Sequence, residues 1–371
     1  MHYKEFKGIN SFLTGMAKIL LKESVVRNTR GFKCYELSSP IVAKINNPSS
    51  RLITIAEREW NYILPYVESL WLASGRNDMD MVGHYLKKLY DFSDNNETMR
   101  GGYGPRLRWF NGVADDYATG YHQKPQTHDL ESIMEVDQFK FVEQSFQNDQ
   151  YTRQAIISLA DPAKDCFDQN QNLKRTKDFP CTRNIQFLRN NNKLDVIVHM
   201  RSNDFLWGAT GVNIFNFTFM QEYFAQILNL EIGEYYHIVN NFHYYENFKD
   251  RIETFAAIEK VDDEWHTYKK GFNNLKEFDE RISVLETFEK LLREKKTTKI
   301  PEFEDGFFND WAKVIYSFHF NKAPISFDNP LLNLLSEKKL TSKTIKENKI
   351  EFDKTFTNQN DLSSTYWQNF I

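Results

Sequence analysis

Apolar positions recur at helical spacing in several stretches of the chain. Within residues 8–22, the run INSFLTGMAKILL places its apolar residues on one face and predicts an amphipathic helix. Residues 62–75, YILPYVESLWLASG, predict a mostly apolar helix that ends at Gly75, a residue type suited to a helix C-cap. Two further helices are predicted over MEVDQFKFVEQSFQ and over TFMQEYFAQILNL, the second of which stops near Gly233.

Other stretches have the composition of strands and loops. Residues 30–48, RGFKCYELSSPIVAKINNP, predict extended chain that ends in an Asn-Asn-Pro turn. RQAIISLA predicts a strand, and residues 184–204 predict a hairpin around an Asn-rich turn. MRGGYGPRLRWF, with three glycines and a proline, predicts a loop. Helices and strands do not alternate strictly, so the pattern favours a mixed α and β fold over a doubly wound sheet.

Charged residues become denser after about residue 250. From there to about residue 299, alternating charges with apolar residues three and four apart predict solvated helices. A polar, lysine-rich stretch, SEKKLTSKTIKENKIEFDKTF, lies close to the C-terminus. We therefore expect a main domain over 1–250 and a mostly helical, charged C-terminal extension over 251–371 packed on it.

Composition narrows the class of protein. The 371 residues carry a formal net charge of −4, so no overall basic field indicates nucleic acid. The first residues lack the features of a signal peptide, and no run of about 18 uninterrupted apolar residues is present, so we expect a soluble, cytoplasmic protein without a membrane partner. Three widely spaced cysteines do not suggest a disulfide framework, and no metal-binding spacing of histidines and cysteines is found.

Cys181 is the first candidate for chemistry. It follows a proline in KDFPCTRNIQFL, directly before a strand-like segment. A lone cysteine is more often a small buried apolar residue than a nucleophile. A nearby arginine favours the reactive thiolate, and the predicted hairpin would fold Arg201 back beside Cys181, with Arg183 a second candidate.

Further polar residues follow the hairpin. In RSND, Arg201 and Ser202 offer a planar guanidinium and a hydroxyl, a pair suited to a phosphate, although such a tetrapeptide is also a common surface turn. Asn213 lies in an apolar run and offers both an acceptor and donors, which suits a ring amide as well as a turn. In NNFHYYENF, His243 and Tyr245 share one face of a strand and suit either a sugar hydroxyl or the core.

These motifs occur in the order and rough spacing of the thymidylate synthase family, which the chain resembles. The resemblance rests on PCTRNIQF, RSNDFLWG, Asn213 and HYY, and upstream on VESLWLASGRND, GGYGPRLR and DQYTRQAIISL. It covers about residues 10–250, roughly two-thirds of the chain. It implies the α+β fold of that family, with a large mixed sheet and flanking helices, and a homodimer.

The resemblance implies a role for each matching residue. Cys181 corresponds to the nucleophile that adds to C6 of the pyrimidine, after which C5 attacks the one-carbon unit of the co-substrate 5,10-methylenetetrahydrofolate. Glu68 corresponds to the carboxylate that organises water and protons, and Tyr103 to the tyrosine near the nucleophile. The nucleotide is expected to contact Arg27, Arg153, Arg201, Ser202, Asn213, His243 and Tyr245. The folate is expected to contact Asp204, Trp71 and Tyr90, with Phe92 and Trp207 as further walls.

Within the nucleotide set, the implied roles differ. Arg201 and Ser202 match phosphate ligands, and Arg27 matches the early phosphate arginine better than Arg30 does. Arg153 matches an arginine donated across the dimer interface. The remaining matches are Asn213 to the base-reading amide, where Asn goes with uracil and Asp with cytosine, and His243 and Tyr245 to the ribose-binding pair.

The chain also departs from the family pattern. Thr182 stands where a histidine usually follows the cysteine, and Gln154 stands where the second arginine of a pair is usual. Gly211 and Val212 replace a Pro-Phe pair, and the stretch 204–213 is one residue longer. These changes resemble the branch that includes pyrimidine nucleotide hydroxymethylases, in which water instead of a folate hydride captures the exocyclic methylene.

The sequence thus predicts folate-dependent one-carbon transfer to C5 of a pyrimidine nucleotide. Conversion of dUMP to dTMP is the first expectation, and hydroxymethylation of dUMP or a related nucleotide is the alternative. A non-catalytic nucleotide-binding homologue is a third, motivated by Thr182, Gln154 and the charged extension.

Overall fold

The computed structural model describes residues 2–29, 31–110, 116–118, 135–320 and 325–337. Within this part of the chain, the strands are β1 (His2–Phe6), β2 (Ser24–Thr29), β3 (Phe32–Leu37), β4 (Ile41–Ile45), β5 (Ile156–Ser158), β6 (Thr182–Asn190), β7 (Lys193–Met200), β8 (Asn203–Asp204), β9 (Glu231–Val239) and β10 (Phe242–Tyr245).

The helices of the described residues are mostly short. The α-helices are α1 (Ile9–Glu23), α2 (Ile63–Ala73), α3 (Met79–Tyr85), α4 (Gly104–Arg108), α5 (Gln138–Asn148), α6 (Pro162–Asp165), α7 (Ile214–Ile227), α8 (Lys249–Ala257), α9 (Leu275–Arg293) and α10 (Gly306–His319). Short 3₁₀ helices span Ala56–Arg58, Lys87–Phe92 and Glu246–Phe248. Residues Phe205–Asn213 form a π-helix, called here the wide helix.

The strands form two sheets. The larger is six-stranded with the order β1-β4-β9-β7-β6-β5, and the smaller is four-stranded with the order β2-β3-β10-β8. In the larger sheet β7 runs parallel to β9 and antiparallel to β6, so the sheet is mixed. Helix α7 packs on β7 and β9, and every residue of this helix is buried.

The C-terminal helices cover the outer side of the central helices. Trp311 of α10 is fully buried, its ring lies edge-on to Phe219 of α7 at 4.7 Å, and its indole N–H donates to Tyr66 O of α2 at 2.8 Å. Helix α9 is held by ion pairs of Arg76 with Glu286 and of Arg108 with Asp279. The division at residue 250 stays a prediction, but α9 and α10 pack directly on the helices that carry the candidate site.

Most of the predicted elements are confirmed, including α1, α2, β3, β4 and the β6–β7 hairpin. Gly75 has φ 73° directly after the C-cap of α2, as its residue type predicts. The mixed α+β fold with flanking helices is also confirmed.

Three predictions were wrong in detail. Residues 99–110 were predicted as loop but contain α4, because Pro105 fits the first turn of a helix. Helix α7 ends at Ile227 and not near Gly233, with Asn229 at φ 56° after it. Residues 259–274 form no regular helix despite their apolar spacing. Residues 338–371, with most of the lysine-rich stretch, lie outside the described residues.

Among the described residues, no helix combines the length and the apolar character that crossing a bilayer requires.

Candidate active site

Cys181 lies at the open end of the β6–β7 hairpin. Thr182 pairs with Met200 across the two strands, and Arg201 N donates to Cys181 O at 2.9 Å, so the residue after β7 lies beside the residue before β6. The Arg201 guanidinium turns back over this corner, where Nη2 lies 3.5 Å from the Cys181 sulphur. The predicted proximity of the two residues is confirmed.

Backbone carbonyls fix the guanidinium of Arg201. Its Nε donates to Pro180 O at 3.0 Å and its Nη2 to Phe179 O at 2.9 Å, while the group lies over the Phe179 ring at 5.1 Å. These acceptors are uncharged, so the positive charge remains available to stabilise a thiolate. Nη1 makes no hydrogen bond to any described residue. Arg201 and the adjacent Ser202 are half-buried and open to an anion.

Tyr103 is held next to Cys181 by Thr182. The Tyr103 hydroxyl accepts from Thr182 N at 3.0 Å and from Thr182 Oγ1 at 2.9 Å. Burial raises the pKa of Tyr103, and the neighbouring Cys181 raises it further. Tyr103 therefore stays protonated, and because Thr182 supplies both donors, the Tyr103 proton is left for another acceptor. The departure at position 182 thus has a structural role.

Glu68 projects from α2 into the same region. Its Oε1 accepts from Asn216 Nδ2 at 3.0 Å, and Asn216 Oδ1 in turn accepts from Ser69 Oγ at 2.9 Å. Burial raises the pKa of Glu68 to about 7, with Asp178 adding to the effect and the Asn216 bond opposing it. A carboxyl group that titrates near neutrality is suited to proton transfer.

Asp178 is a site residue that the sequence reasoning missed. It precedes Cys181 by three residues, its Oδ2 accepts from Gly101 N at 2.7 Å, and it interacts electrostatically with both Glu68 and Tyr103. Burial raises the pKa of Asp178 to about 6. The only sequence signal is an acidic residue directly before the Phe-Pro-Cys corner.

The wide helix carries Asp204 at its start and Asn213 at its end. Asp204 caps the helix by accepting from Trp207 N, and burial raises the pKa of its carboxyl group. Its Oδ2 is buried and has no hydrogen-bond partner among the described residues. At the other end, Asn213 Oδ1 accepts from Asn203 Nδ2 at 2.8 Å.

Hydrogen bonds from neighbouring side chains to backbone carbonyls stabilise the wide helix. Ile214 N donates to Ala209 O, five residues back, as in a π-helix. Arg58, which is fully buried, donates to Leu206 O at 2.9 Å and to Thr210 O at 3.3 Å, and Trp60 Nε1 donates to Gly211 O at 2.8 Å.

The four-stranded sheet positions His243 and Tyr245. Both lie on β10, where His243 is buried and Tyr245 is half-buried, with their rings 5.4 Å apart. His243 interacts electrostatically with Asp204, so β10 lies beside the start of the wide helix. Arg27 lies on β2, its side chain is 64% exposed, and it pairs with Glu36 at 3.4 Å. Its alternative, Arg30, lies outside the described residues.

The residues predicted to form the folate walls, and Arg153, differ in how far they are exposed. Trp71 is buried and donates to Asp78 O at 2.9 Å, whereas Tyr90 is half-buried. Phe92 and Trp207 contact edge to face at 6.2 Å, with Phe92 40% exposed. Arg153 is exposed shortly before β5, on the edge of the larger sheet.

Comparison of the sequence with known proteins identifies the family of this chain. A sequence model described as thymidylate synthase matches residues 10–281. The deoxyuridylate hydroxymethyltransferase of Bacillus phage SP01 is 32% identical over 226 residues, which are 61% of this chain and 54% of that protein. The deoxyuridylate hydroxymethyltransferase of Pseudomonas phage M6 is 28% identical over 237 residues, 64% of this chain and 59% of that protein.

A shorter match is to the thymidylate synthase of Mycoplasma mobile, 36% identical over 74 residues, 20% of this chain and 25% of that protein. The chain spans about half the length of the phage relatives that it matches. The family match covers well over half of the chain. The matched residues include the Cys181 corner, the wide helix and every strand from β2 to β10. The chain belongs to the thymidylate synthase family.

Proposed function

We propose that this protein transfers a one-carbon unit from 5,10-methylenetetrahydrofolate to C5 of dUMP and that water completes the reaction, giving 5-hydroxymethyl-dUMP. The observation that carries the proposal is the Cys181 sulphur 3.5 Å from the Arg201 guanidinium, beside Tyr103 and close to two carboxyl groups of raised pKa. The names of the phage relatives, deoxyuridylate hydroxymethyltransferases, support the product.

In this proposal Cys181 activates the base. Its thiolate forms a bond to C6, which moves an electron pair to C5, and C5 then forms a bond to the one-carbon unit. The C5 proton then leaves, the bond between the one-carbon unit and the folate nitrogen breaks with release of tetrahydrofolate, and an exocyclic methylene group remains on the pyrimidine. Water adds to that methylene as hydroxide while its proton passes to a base, and the C6–sulphur bond breaks to restore the ring.

The residues around Asp204 fit a folate, which supplies the one-carbon unit. A buried carboxylate oxygen without a partner among the described residues needs an N–H donor, and a pterin ring offers several. The adjacent Trp207 and Phe92 supply an aromatic wall of the kind that ligand sites use. In the bound state Asp204 would hold the pterin edge and these rings would cover its faces.

Two carboxyl groups favour water as the final reactant. Glu68 and Asp178 interact with each other, and the pKa values of about 7 and about 6 leave one of them able to accept a proton near neutrality. Such a pair suits a water molecule next to the methylene carbon. Hydride transfer from the folate needs a base only for the C5 proton, whereas the addition of water needs an acceptor for a second proton.

Methylation of dUMP to dTMP is the second candidate. It is supported by the description of the family model and by the synthase of Mycoplasma mobile. The Cys181, Arg201 and Asn213 geometry serves both reactions equally, because they share every step up to the exocyclic methylene.

We further propose a homodimer that forms through the six-stranded sheet. The side chains of Val42, Ile197, Tyr236 and Ile238 alternate with the residues buried under α7 and are only half-buried in the described chain. A face of this composition is suited to burial against a second copy. Arg153, exposed near the edge of this sheet, would then reach the phosphate of the partner's nucleotide.

The test is to incubate the protein with dUMP and methylenetetrahydrofolate and to weigh the nucleotide product by mass spectrometry. A gain of one methylene plus one oxygen supports hydroxymethylation, and a gain of one methylene alone establishes the second candidate. Cys181→Ser is the control. If no product forms and 5-fluoro-dUMP gives no covalent adduct, the protein is a nucleotide-binding homologue without this activity.

A further inference from the structure

Three buried side chains connect the two sheets to Asn213. The Tyr235 hydroxyl lies 2.9 Å from His237 Nδ1, and His237 Nε2 lies 2.9 Å from Asn203 Oδ1. Asn203 Nδ2 then lies 2.8 Å from Asn213 Oδ1. Tyr235 and His237 belong to β9 of the larger sheet, whereas Asn203 belongs to β8 of the smaller one. Hydrogen bonds thus run without interruption from the core to the end of the wide helix.

This row of hydrogen bonds is isolated from water. Tyr235 and His237 are fully buried and Asn203 is 3% exposed. The Phe12 ring lies edge-on to His237 at 6.4 Å. Burial lowers the pKa of His237 to about 3, so its ring is neutral and one nitrogen donates while the other accepts.

Tyr235 sets the direction of every bond in the row. Its hydroxyl contacts only His237 among the described residues, so its proton has one available acceptor, Nδ1. His237 must then carry its proton on Nε2 and donate to Asn203 Oδ1. Asn203 therefore presents its amino group to Asn213, which has to accept through Oδ1. In the reverse direction the buried Tyr235 proton would be left without an acceptor, which is unfavourable in the core.

We propose that Tyr235 and His237 are positioning residues that lock the amide of Asn213 in one orientation and thereby make the site select uracil over cytosine. This inference rests on the proposed function, because it assigns Asn213 to the pyrimidine edge. With Oδ1 held by Asn203, the Asn213 amino group makes no hydrogen bond to any described residue and is left for the base.

A locked amide discriminates because the two bases present opposite edges. Uracil offers a donor at N3 and an acceptor at O4, whereas cytosine offers an acceptor at N3 and a donor at N4. A freely rotating amide would match either base after a half-turn about Cβ–Cγ. Here that half-turn places the amino groups of Asn213 and Asn203 against each other unless the whole row reverses.

Gly208 leaves the space in which the last bond forms. A Cβ atom at this position would overlap Asn203 Nδ2 and lie 2.9 Å from Asn213 Oδ1. Any side chain at position 208 would therefore separate the two amides. Gly208 leaves room for the bond between Asn203 and Asn213, and Tyr235 sets the direction of that bond from the other end of the row. Substitutions at the two positions should therefore have the same effect.

The experiment measures dUMP and dCMP binding by isothermal titration calorimetry to wild type, Tyr235→Phe and Gly208→Ala. Tyr235→Phe removes the proton that sets the direction, and Gly208→Ala breaks the last bond. Each variant should lower the preference for dUMP over dCMP about tenfold, the equivalent of one lost hydrogen bond. Tyr223→Phe is the matched control, because Tyr223 is a buried tyrosine packed against Phe278 at 4.6 Å, and it should leave the preference unchanged.

Binding separates failure of this inference from failure of the proposed function. If both variants keep the wild-type preference, the lock is wrong while the proposed reaction stands. If wild type binds neither nucleotide, the proposed function fails and the inference fails with it. Circular dichroism shows whether each variant is folded; if Tyr235→Phe is not, the Gly208→Ala result decides.

Discussion

Single residues at the Cys181 corner combine several contacts each. Arg201 joins two backbone carbonyls and the sulphur through one guanidinium, and its Nη1 makes no hydrogen bond to a described residue. Thr182 orients Tyr103 with both of its donors. Cys181, the proposed nucleophile, thus lies beside two side chains whose orientation is fixed before any ligand binds.

Cys181→Ser should abolish turnover and leave dUMP binding largely intact. The thiolate forms the bond to the base, whereas the phosphate and the amide contacts remain. Product formation and dUMP affinity, measured on the same preparation, check this. Retention of more than a few per cent of the activity would contradict the assignment of Cys181.

The Glu68 carboxyl group makes activity and stability depend on pH near neutrality. Because its folded-state pKa is about 7 and its ordinary pKa about 4.5, the folded protein keeps a proton that the unfolded chain has lost between these values. Relative to Glu68→Gln, the unfolding free energy of wild type should therefore fall as pH rises from about 4.5 through about 7. Urea unfolding at several pH values measures this.

The same substitution should remove an inflection near pH 7 from kcat/KM. Because Asp178 interacts with Glu68, the difference between the two proteins reports the titration of this pair and not of Glu68 alone. Parallel stability curves for wild type and Glu68→Gln would show that the carboxyl group titrates normally.

The sequence was sufficient to predict the neighbours of some of these residues and not of others. Arg201 beside Cys181 follows from counting along a hairpin, because the two residues flank its open end. His237 contacting Asn203 does not follow, since 34 residues separate them and the contact depends on how the two sheets meet. Asp178 was missed because its neighbours Glu68 and Gly101 are close in space but remote in sequence.

At the scale of elements, α10 shows how a C-terminal helix packs on α2 and α7. Trp311 lies among Phe219, Phe307 and Phe308 and bonds to a carbonyl of α2. Trp311→Ala should lower the unfolding free energy by about 3–5 kcal/mol, because it opens a cavity and removes the indole hydrogen bond to that carbonyl. Urea denaturation measures the loss.

Trp265→Ala is the control for that substitution. Trp265 is 60% exposed on the irregular segment before α9, so its removal should change the unfolding free energy by no more than about 0.5 kcal/mol. Equal losses for the two variants would contradict the structural role given to α10.

The spacing of apolar residues predicted the elements that bury them at regular intervals. It failed where local chemistry or tertiary contacts determine the secondary structure. Helix α1 was found because one of its faces is apolar, and α2 because it is mostly apolar and ends at a glycine. Residues 259–274 have similar spacing, but their contacts are made with the main domain, as in Asp263, which accepts from Asn10 N at 2.9 Å. Such contacts hold an irregular chain in place without a helix.

At the scale of the whole molecule, the proposed dimer predicts complementation between inactive variants. Cys181→Ser and Arg153→Ala should each lose activity alone. If Arg153 acts across the interface, a mixed dimer places both substitutions in one site and leaves the other intact. Random mixing of equal amounts should then restore about one quarter of the wild-type activity.

That experiment needs subunits that exchange, for example through partial unfolding and refolding of the mixture. Two sets of activity assays, on separately refolded and co-refolded variants, provide the comparison. Activity that stays at the level of the separate variants would place Arg153 outside the partner's site or exclude the dimer.

The wide helix, finally, leads to an expectation for other members of the family. The resemblance implies that the stretch 204–213 is one residue longer than the family pattern, and a π-helix is how a helix accommodates one extra residue without changing the register of α7 after it. Arg58 and Trp60 bind the carbonyls of the widened turns, so these two side chains support the π-helix directly. Relatives that share the longer stretch should share both side chains, and the three positions together would mark a branch within the family.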